Sequence, residues 1–243
     1  ICTDTVYGAL GNDTLISSGY GQYYGGDGDD YVYAGNGGGE TLDGGAGTDF
    51  LNTAAWSGDY VVNLTTGATN WTGESFVNFE DIYSGSGSDT LTGTAGANTM
   101  RGNLGNDLID GLAGNDLLSG GAGNDTLLAG SGSDTLLGGE GNDRLVSSGG
   151  GRYQGDAGND VILAGLGTAE TLDGGTGTDM LDGRSYSGNY AINLGTGATN
   201  FAGESFVNFE NVMTAGGNDT LTGGNGANLM NAGDGTDRLF GLA

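Results

Sequence analysis

Gly120-Gly121-Ala122-Gly123-Asn124-Asp125-Thr126-Leu127-Leu128 is one unit of a nine-residue pattern, and its reading decides the fold. Gly-rich residues lead to an acid, and three further residues follow with an aliphatic in the middle. Working outward, Asp89, Asn98, Asp107, Asp116, Asp125, Asp134 and Asp143 fall nine residues apart without a slip. Such a period suits neither a helix nor a lone strand. It suits a loop of about six residues and a strand of about three, repeated as a solenoid. The glycines permit positive φ and close approach of neighbouring backbones. The residue two places after each loop acid is aliphatic, from Val6, Leu15 and Val32 through Leu118, Leu127 and Leu136 to Met230 and Leu239. Its neighbours vary freely, as strand alternation requires. One aliphatic per strand makes a thin core, so each unit must stack on the next.

A longer duplication overlies the short one. Residues 1–113 match residues 131–243 at an offset of 130, and Gly73-Glu74-Ser75-Phe76-Val77-Asn78-Phe79-Glu80 recurs unchanged at 203–210. The chain therefore divides into a first long repeat, 1–130, and a second, 131–243, incomplete at its C-terminus, within one continuous solenoid. Each contains a spacer that breaks the short period, at 53–84 and 183–214. Both ends of the sequence fall inside a short unit, and neither resembles a solenoid cap. This predicts an excerpt of a longer array or a subunit that stacks end to end.

Two short units make one turn of a flattened coil, so acids eighteen residues apart share an edge. Asp89, Asp107, Asp125 and Asp143 share one, and Asn98, Asp116 and Asp134 the other. Coils lie about 4.8 Å apart. Like charges at that spacing repel by roughly 3 kcal/mol per pair at an effective dielectric near 20. A slender core cannot absorb that cost repeatedly, so the row requires cations. The formal charge of -26, with five Arg and no His, sharpens the demand. It also excludes nucleic acid as a partner, which needs a basic stripe, and no apolar run is long enough to insert in a membrane. The ligands on offer are carboxylates and carbonyls. These hard oxygens, without His and with the single Cys2, exclude zinc, copper and iron sites. Calcium accepts six to eight oxygens in loose geometry, which suits Gly-rich loops. Roughly a dozen ions would offset the charge.

The short units resemble the RTX calcium-binding repeat, Gly-Gly-x-Gly-x-Asp-x-aliphatic-x, most closely over residues 121–146. The resemblance implies an all-β fold, a right-handed parallel β-roll (β-solenoid) with calcium held between loops by Asp side chains and backbone carbonyls. Carried onto this sequence, the ligands are Asp4, Asp13, Asp30, Asp49, Asp89, Asp107, Asp116, Asp125, Asp134, Asp143, Asp160, Asp179, Asp219 and Asp237. Asn98 and Asn228 take two further places as weaker, neutral ligands. Glu40 and Glu170 stand in lengthened loops; residues 17–24 and 147–154 lack an acid, and Arg152 near one gap could replace a cation. Cys2 replaces a loop glycine. The resemblance also implies secretion and folding outside the cell, where calcium is plentiful.

Catalysis has little support. Without His there is no Ser-His-Asp or Cys-His arrangement, and Glu74, Asp81 and Glu204 show no spacing that pairs them as acid and base. The spacer aromatics Trp56, Tyr60, Trp71, Phe76, Phe79, Tyr83, Tyr186, Tyr190, Phe201, Phe206 and Phe209 are expected to thicken the core rather than form a docking platform. Tyr20, Tyr23 and Tyr24 read as surface packing, and Asp43, Asp110, Asp173 and Asp182 as solvent-facing. The sequence thus points to a non-catalytic extracellular structural protein, a calcium-filled rod in a filament, surface layer or adhesin that stacks on copies of itself. The alternative is the folding and export module of a larger secreted enzyme or toxin.

Overall fold

A computed structural model of the chain describes residues 4–165 and 169–242; Cys2 lies outside them. Among the described residues every regular element is a strand and there is no helix. The strands wind into a β-solenoid with two walls. Asp4–Leu10, Gly21–Asp27 and Glu40–Ala46 stack in the first wall, and Thr14–Ile16, Tyr31–Tyr33 and Phe50–Asn52 in the second. Coil-to-coil pairing is parallel and in register. Leu91, Ile109, Leu127 and Leu145 lie side by side in one wall, and Met100, Leu118 and Leu136 in the other.

These aliphatics are the core. Leu91, Met100, Ile109, Leu118, Leu127 and Leu136 are fully buried, each closed in by the same residue of the coils above and below. Val6 and Leu239, expected to point inward, are 38% and 48% exposed, and Met230 is only partly buried. Each belongs to a strand that pairs on one side alone, so one neighbouring layer is missing. Several strands outrun the expected three residues. Asp134–Glu140 pairs through its glycines, with Gly139 beside Gly121 and Glu140 beside Ala122. Loops of identical length stack as regularly as the strands do, so the ladder continues around the corner.

The spacers explain how the long repeat is accommodated. In the first, Val61–Asn63 and Ala68–Thr69 form an antiparallel hairpin lodged in the first wall, between Ser75–Val77 and Thr90–Thr92. The second wall gains no such rows there; Asp81–Tyr83 joins Phe50–Asn52 directly to Thr99–Leu104. In the second spacer, Ala191–Asn193 and Ala198–Thr199 make the matching hairpin. Ala191–Asn193 pairs with Thr220–Thr222 in a separate four-stranded sheet, whose Ala198–Thr199 lies against Ser205–Val207 at the end of the second wall. The long repeat spans an odd number of half-turns, since Asp4–Leu10 opens in the first wall and its counterpart Asp134–Glu140 in the second. Matching residues of the two copies consequently sit on opposite sides.

Tyr60, Phe76 and Phe79 are buried, as are Tyr190, Phe206 and Phe209. They thicken the core where the walls separate, as the alternation predicts. Trp56 lies edge-on to Trp71 at 4.8 Å, with Trp71 at the surface. Two expectations fail. Tyr23 is buried, like its counterpart Tyr153, because it fills the inward position of a strand otherwise made of Gly and polar residues. Asp182 is buried rather than solvent-facing, and it is held by Arg184 at 2.7 Å.

Candidate metal centre

The loop acids form hydrogen-bonded ladders along both edges. On one edge the Asp89 N–H donates to Asp107 Oδ1 at 2.7 Å, that of Asp107 to Asp125 at 2.7 Å and that of Asp125 to Asp143 at 2.8 Å. Asp160 and Asp179 continue the series. On the other edge Asp13 donates to Asp30 and Asp30 to Asp49, each at 2.8 Å, while Asn98 donates to Asp116 and Asp116 to Asp134, each at 2.9 Å. The spacing of about eighteen residues is thus a direct coil-to-coil contact.

Apart from Asp13, which enters the ladder only through its N–H, each of these carboxylates accepts on one oxygen and leaves the other without a partner. Oδ2 of Asp13, Asp30, Asp49, Asp89, Asp107, Asp116, Asp125, Asp134, Asp143, Asp160 and Asp179 is buried and accepts no hydrogen bond from the protein. A buried unpaired carboxylate oxygen is costly, and a repeated row of them calls for positive charge. The glycines complete the geometry. A methyl on Gly111 would lie 2.5 Å from Asp116 Oδ2 and 2.8 Å from the Ala129 carbonyl oxygen. At Gly8 the corresponding distances are 2.6 Å to Asp13 Oδ2 and 2.5 Å to the Gly25 carbonyl oxygen. Carbon cannot stand there; a cation that takes oxygens at about 2.3–2.6 Å fits the same donor set. Among the described residues no three His, Cys, Asp or Glu side chains gather to hold a metal. The oxygens beside these carboxylates are main-chain carbonyls such as those of Gly25 and Ala129, and all of them are hard donors of the kind calcium accepts.

Burial sets the electrostatics. It pushes Asp107 up to about 7, opposed by the Asp89 N–H and reinforced by the Asp125 and Asp89 carboxylates. Burial likewise lifts Asp49, Asp116, Asp125, Asp143, Asp160 and Asp179 to about 6, each opposed by the backbone donor of the adjacent coil. Asp89 and Asp134 shift the same way.

Five expected ligands differ. Asn98 is satisfied by protein alone: its Oδ1 accepts the Thr94 N–H at 2.8 Å and its Nδ2 donates to the Glu80 carbonyl at 2.7 Å. Asn228 Nδ2 donates to the Glu210 carbonyl at 2.8 Å. Asp219 uses both oxygens, accepting from Tyr190 N at 2.8 Å and from Thr214 Oγ1 at 2.6 Å. Asp237 accepts the Asp219 N–H at 2.9 Å but is only half-buried, and Asp4 is exposed on the first described strand. The acid-free loops are closed by protein groups. Fully buried Glu40 accepts from Ser17 Oγ and from Gly35 N, and Glu170 does the same with Ser147 and Gly165. Arg152 takes no part; it is exposed on the outer wall, since the inward place belongs to Tyr153.

Sequence reasoning missed two sets of residues. Glu80 and Glu210 take the place of a loop Asp, accepting the N–H of Asp49 and of Asp179 at 2.8 Å. Counting eighteen back from Asn98 and Asn228 lands on them, but both lie inside the spacers, where the short period is broken. The second set is a parallel outer ladder. Asn106, Asn124 and Asn142 each accept, on Oδ1, the N–H of the corresponding residue one coil on. The residue before each loop Asp carried that signal.

A solenoid with rows of unpaired carboxylate oxygens on both edges defines a metal-binding repeat protein. The RTX calcium-binding nonapeptide repeat model matches residues 2–18, 24–40, 35–55, 83–118, 111–145, 119–153 and 213–243, more than half of the sequence. The chain belongs to that family, whose repeats bind calcium in a β-roll. A search of curated proteins finds no relative that matches it.

Proposed function

We propose that this calcium-binding repeat protein acts as a rigid rod that folds outside the cell, with a structural role in a filament, surface layer or adhesin. The observation that carries the reading is the row of orphaned Oδ2 atoms recurring along the solenoid, from Asp13 to Asp179. Bound calcium would neutralise these oxygens, so its binding free energy becomes folding free energy. The loop Asp side chains with unpaired oxygens, joined by neighbouring carbonyls, are the proposed ligands. Asp4, Asp219, Asp237, Asn98 and Asn228 fill the same loop positions with weaker claims. No catalytic role is assigned to any residue, in keeping with a solenoid of RTX repeats. Electron microscopy of calcium-loaded protein tests the role. Rods that join into fibres or sheets support it, and monomers persisting at high concentration refute it. Should the full gene product carry a protease, lipase or pore-forming segment, the chain is instead the folding and export module of that larger protein.

A further inference from the structure

Each spacer returns to the solenoid through the sequence Asn-Phe-Glu, at 78–80 and 208–210, outside the residues that match the nonapeptide repeat. Glu80 Oε2 accepts the Asp49 N–H at 2.8 Å, as Asp49 Oδ1 accepts that of Asp30 one coil earlier. Glu210 does the same for Asp179. Asp49 and Asp179 are fully buried, and each keeps an Oδ2 with no partner. What faces that oxygen is no longer a loop glycine of the next coil. Asn78 and Asn208 adopt left-handed backbones, with φ of 56° and 57°. Their carbonyl oxygens stand over Gly44 and Gly174, where a methyl would collide with them. A methyl on Gly174 would also lie 2.9 Å from Asp179 Oδ2. The left-handed turn is held from outside. Asn78 Nδ2 donates to Asp43 Oδ1, and Asn208 Nδ2 to Asp173 Oδ1, each at 2.7 Å.

We propose that each spacer builds a calcium site of its own, from Asp49, the Asn78 carbonyl and Glu80 in the first copy and from Asp179, the Asn208 carbonyl and Glu210 in the second. The inference rests on the reading that the loop Asp rungs bind calcium. Glutamate suits the place because the chain arrives from a hairpin rather than a tight Gly-rich loop, and the extra methylene spans the difference. The calcium rows then pass through the spacers, and the ion fastens each hairpin to the coil beneath it. The two sites lie on opposite edges, since the copies are offset by an odd number of half-turns.

Crystals grown in calcium, measured at a wavelength with strong calcium anomalous scattering, test this in the unaltered protein. The expected result is a peak between Asp49 and Glu80, and another between Asp179 and Glu210, comparable to that between Asp107 and Asp125. Peaks at Asp107 without peaks at the spacers overturn the proposal alone; peaks nowhere overturn it together with the calcium reading. In solution the Glu80→Gln, Glu210→Gln double variant keeps an oxygen for the Asp49 and Asp179 N–H groups. It should bind two fewer calcium ions by equilibrium dialysis, while an unchanged stoichiometry would contradict the assignment.

Discussion

At the scale of the residue, a loop Asp does two different jobs with two oxygens. Oδ1 of Asp107 fixes the register of the coils through the Asp89 N–H, and Oδ2 faces the cradle at Gly102. Asp107→Asn retains the first and weakens the second. It should raise the calcium concentration needed for folding and remove ions on its own edge, leaving those beside Asp116 in place; titration calorimetry reads both. Equal losses on the two edges would contradict the assignment of Asp107 and Asp116 to separate ladders. The glycines give a sharper contrast. Gly111 has no left-handed φ, so alanine there acts only through the collision with Asp116 Oδ2 and the Ala129 carbonyl. Overpacking of this kind costs about 1–3 kcal/mol. The exposed Gly96, whose added methyl would come no nearer than 3.7 Å to Thr94 Oγ1, should tolerate alanine within roughly 0.5 kcal/mol. Denaturant melts in saturating calcium compare the two. Much of this scale was legible: the recurrent Asp and the aliphatic two places later mark candidate ligand and core directly. Glu80 was not read, because a ladder is recognised by its spacing and the spacer interrupts the pattern around it.

At the scale of the element, not every coil is built for metal. The coil joining Ser17 to Glu40 replaces an orphaned carboxylate with a saturated one. Burial pushes Glu40 up to about 7 against the pull of the Ser17 hydroxyl, so near neutral pH much of it carries a proton and it is largely protonated only below about pH 6. Glutamine can stand in for that form. Glu40→Gln should leave melting in saturating calcium nearly unchanged, whereas Glu40→Ala strands the Ser17 hydroxyl and the Gly35 N–H at about 1–3 kcal/mol. A large loss in the glutamine variant would mean that the ionised carboxylate is required. The sequence showed the missing acid at 17–24 and the odd Glu40, but not that one answers the other. Twenty-three residues separate Ser17 from Glu40, and only coiling brings them together. Tyr23 is a related case: the coil register sets it between Val6 and Leu42, in the row of inward aliphatics.

At the scale of the whole molecule, charge and shape follow from repetition. Burial raises the loop carboxylates above the ordinary Asp value, Asp107 to about 7 and Asp116 and Asp125 to about 6. Groups raised in this way stabilise the metal-free fold below about pH 4 and lose that contribution as pH rises through 6–7. Dialysed, metal-free protein should therefore keep more β circular dichroism near pH 4.5 than near pH 7.5. With calcium present the order reverses, because protons and metal compete for the same oxygens. A metal-free spectrum equally ordered at both pH values would show that the rows need no cation. The hairpins predict the shape. Each adds two strand rows to one wall, on the order of 10 Å of extra height, and the two insertions fall in opposite walls. The rod should bend twice in opposite senses and keep its two end sections near parallel, which small-angle scattering can distinguish from a single arc.

The sequence by itself determined the period, the inward aliphatics, the edge on which each acid falls and the kind of cation it suits. All of these are local, repeated at fixed spacing, and each unit restates them. Tertiary structure alone decided which carboxylates keep an orphaned oxygen and which are satisfied by Ser, Thr or a backbone N–H, as Glu40, Asp219 and Asn98 are. It also decided that the two long copies face opposite ways. Those outcomes depend on which groups coiling brings face to face across many residues of chain, and an odd count of half-turns is a property of the wound molecule that no single unit carries.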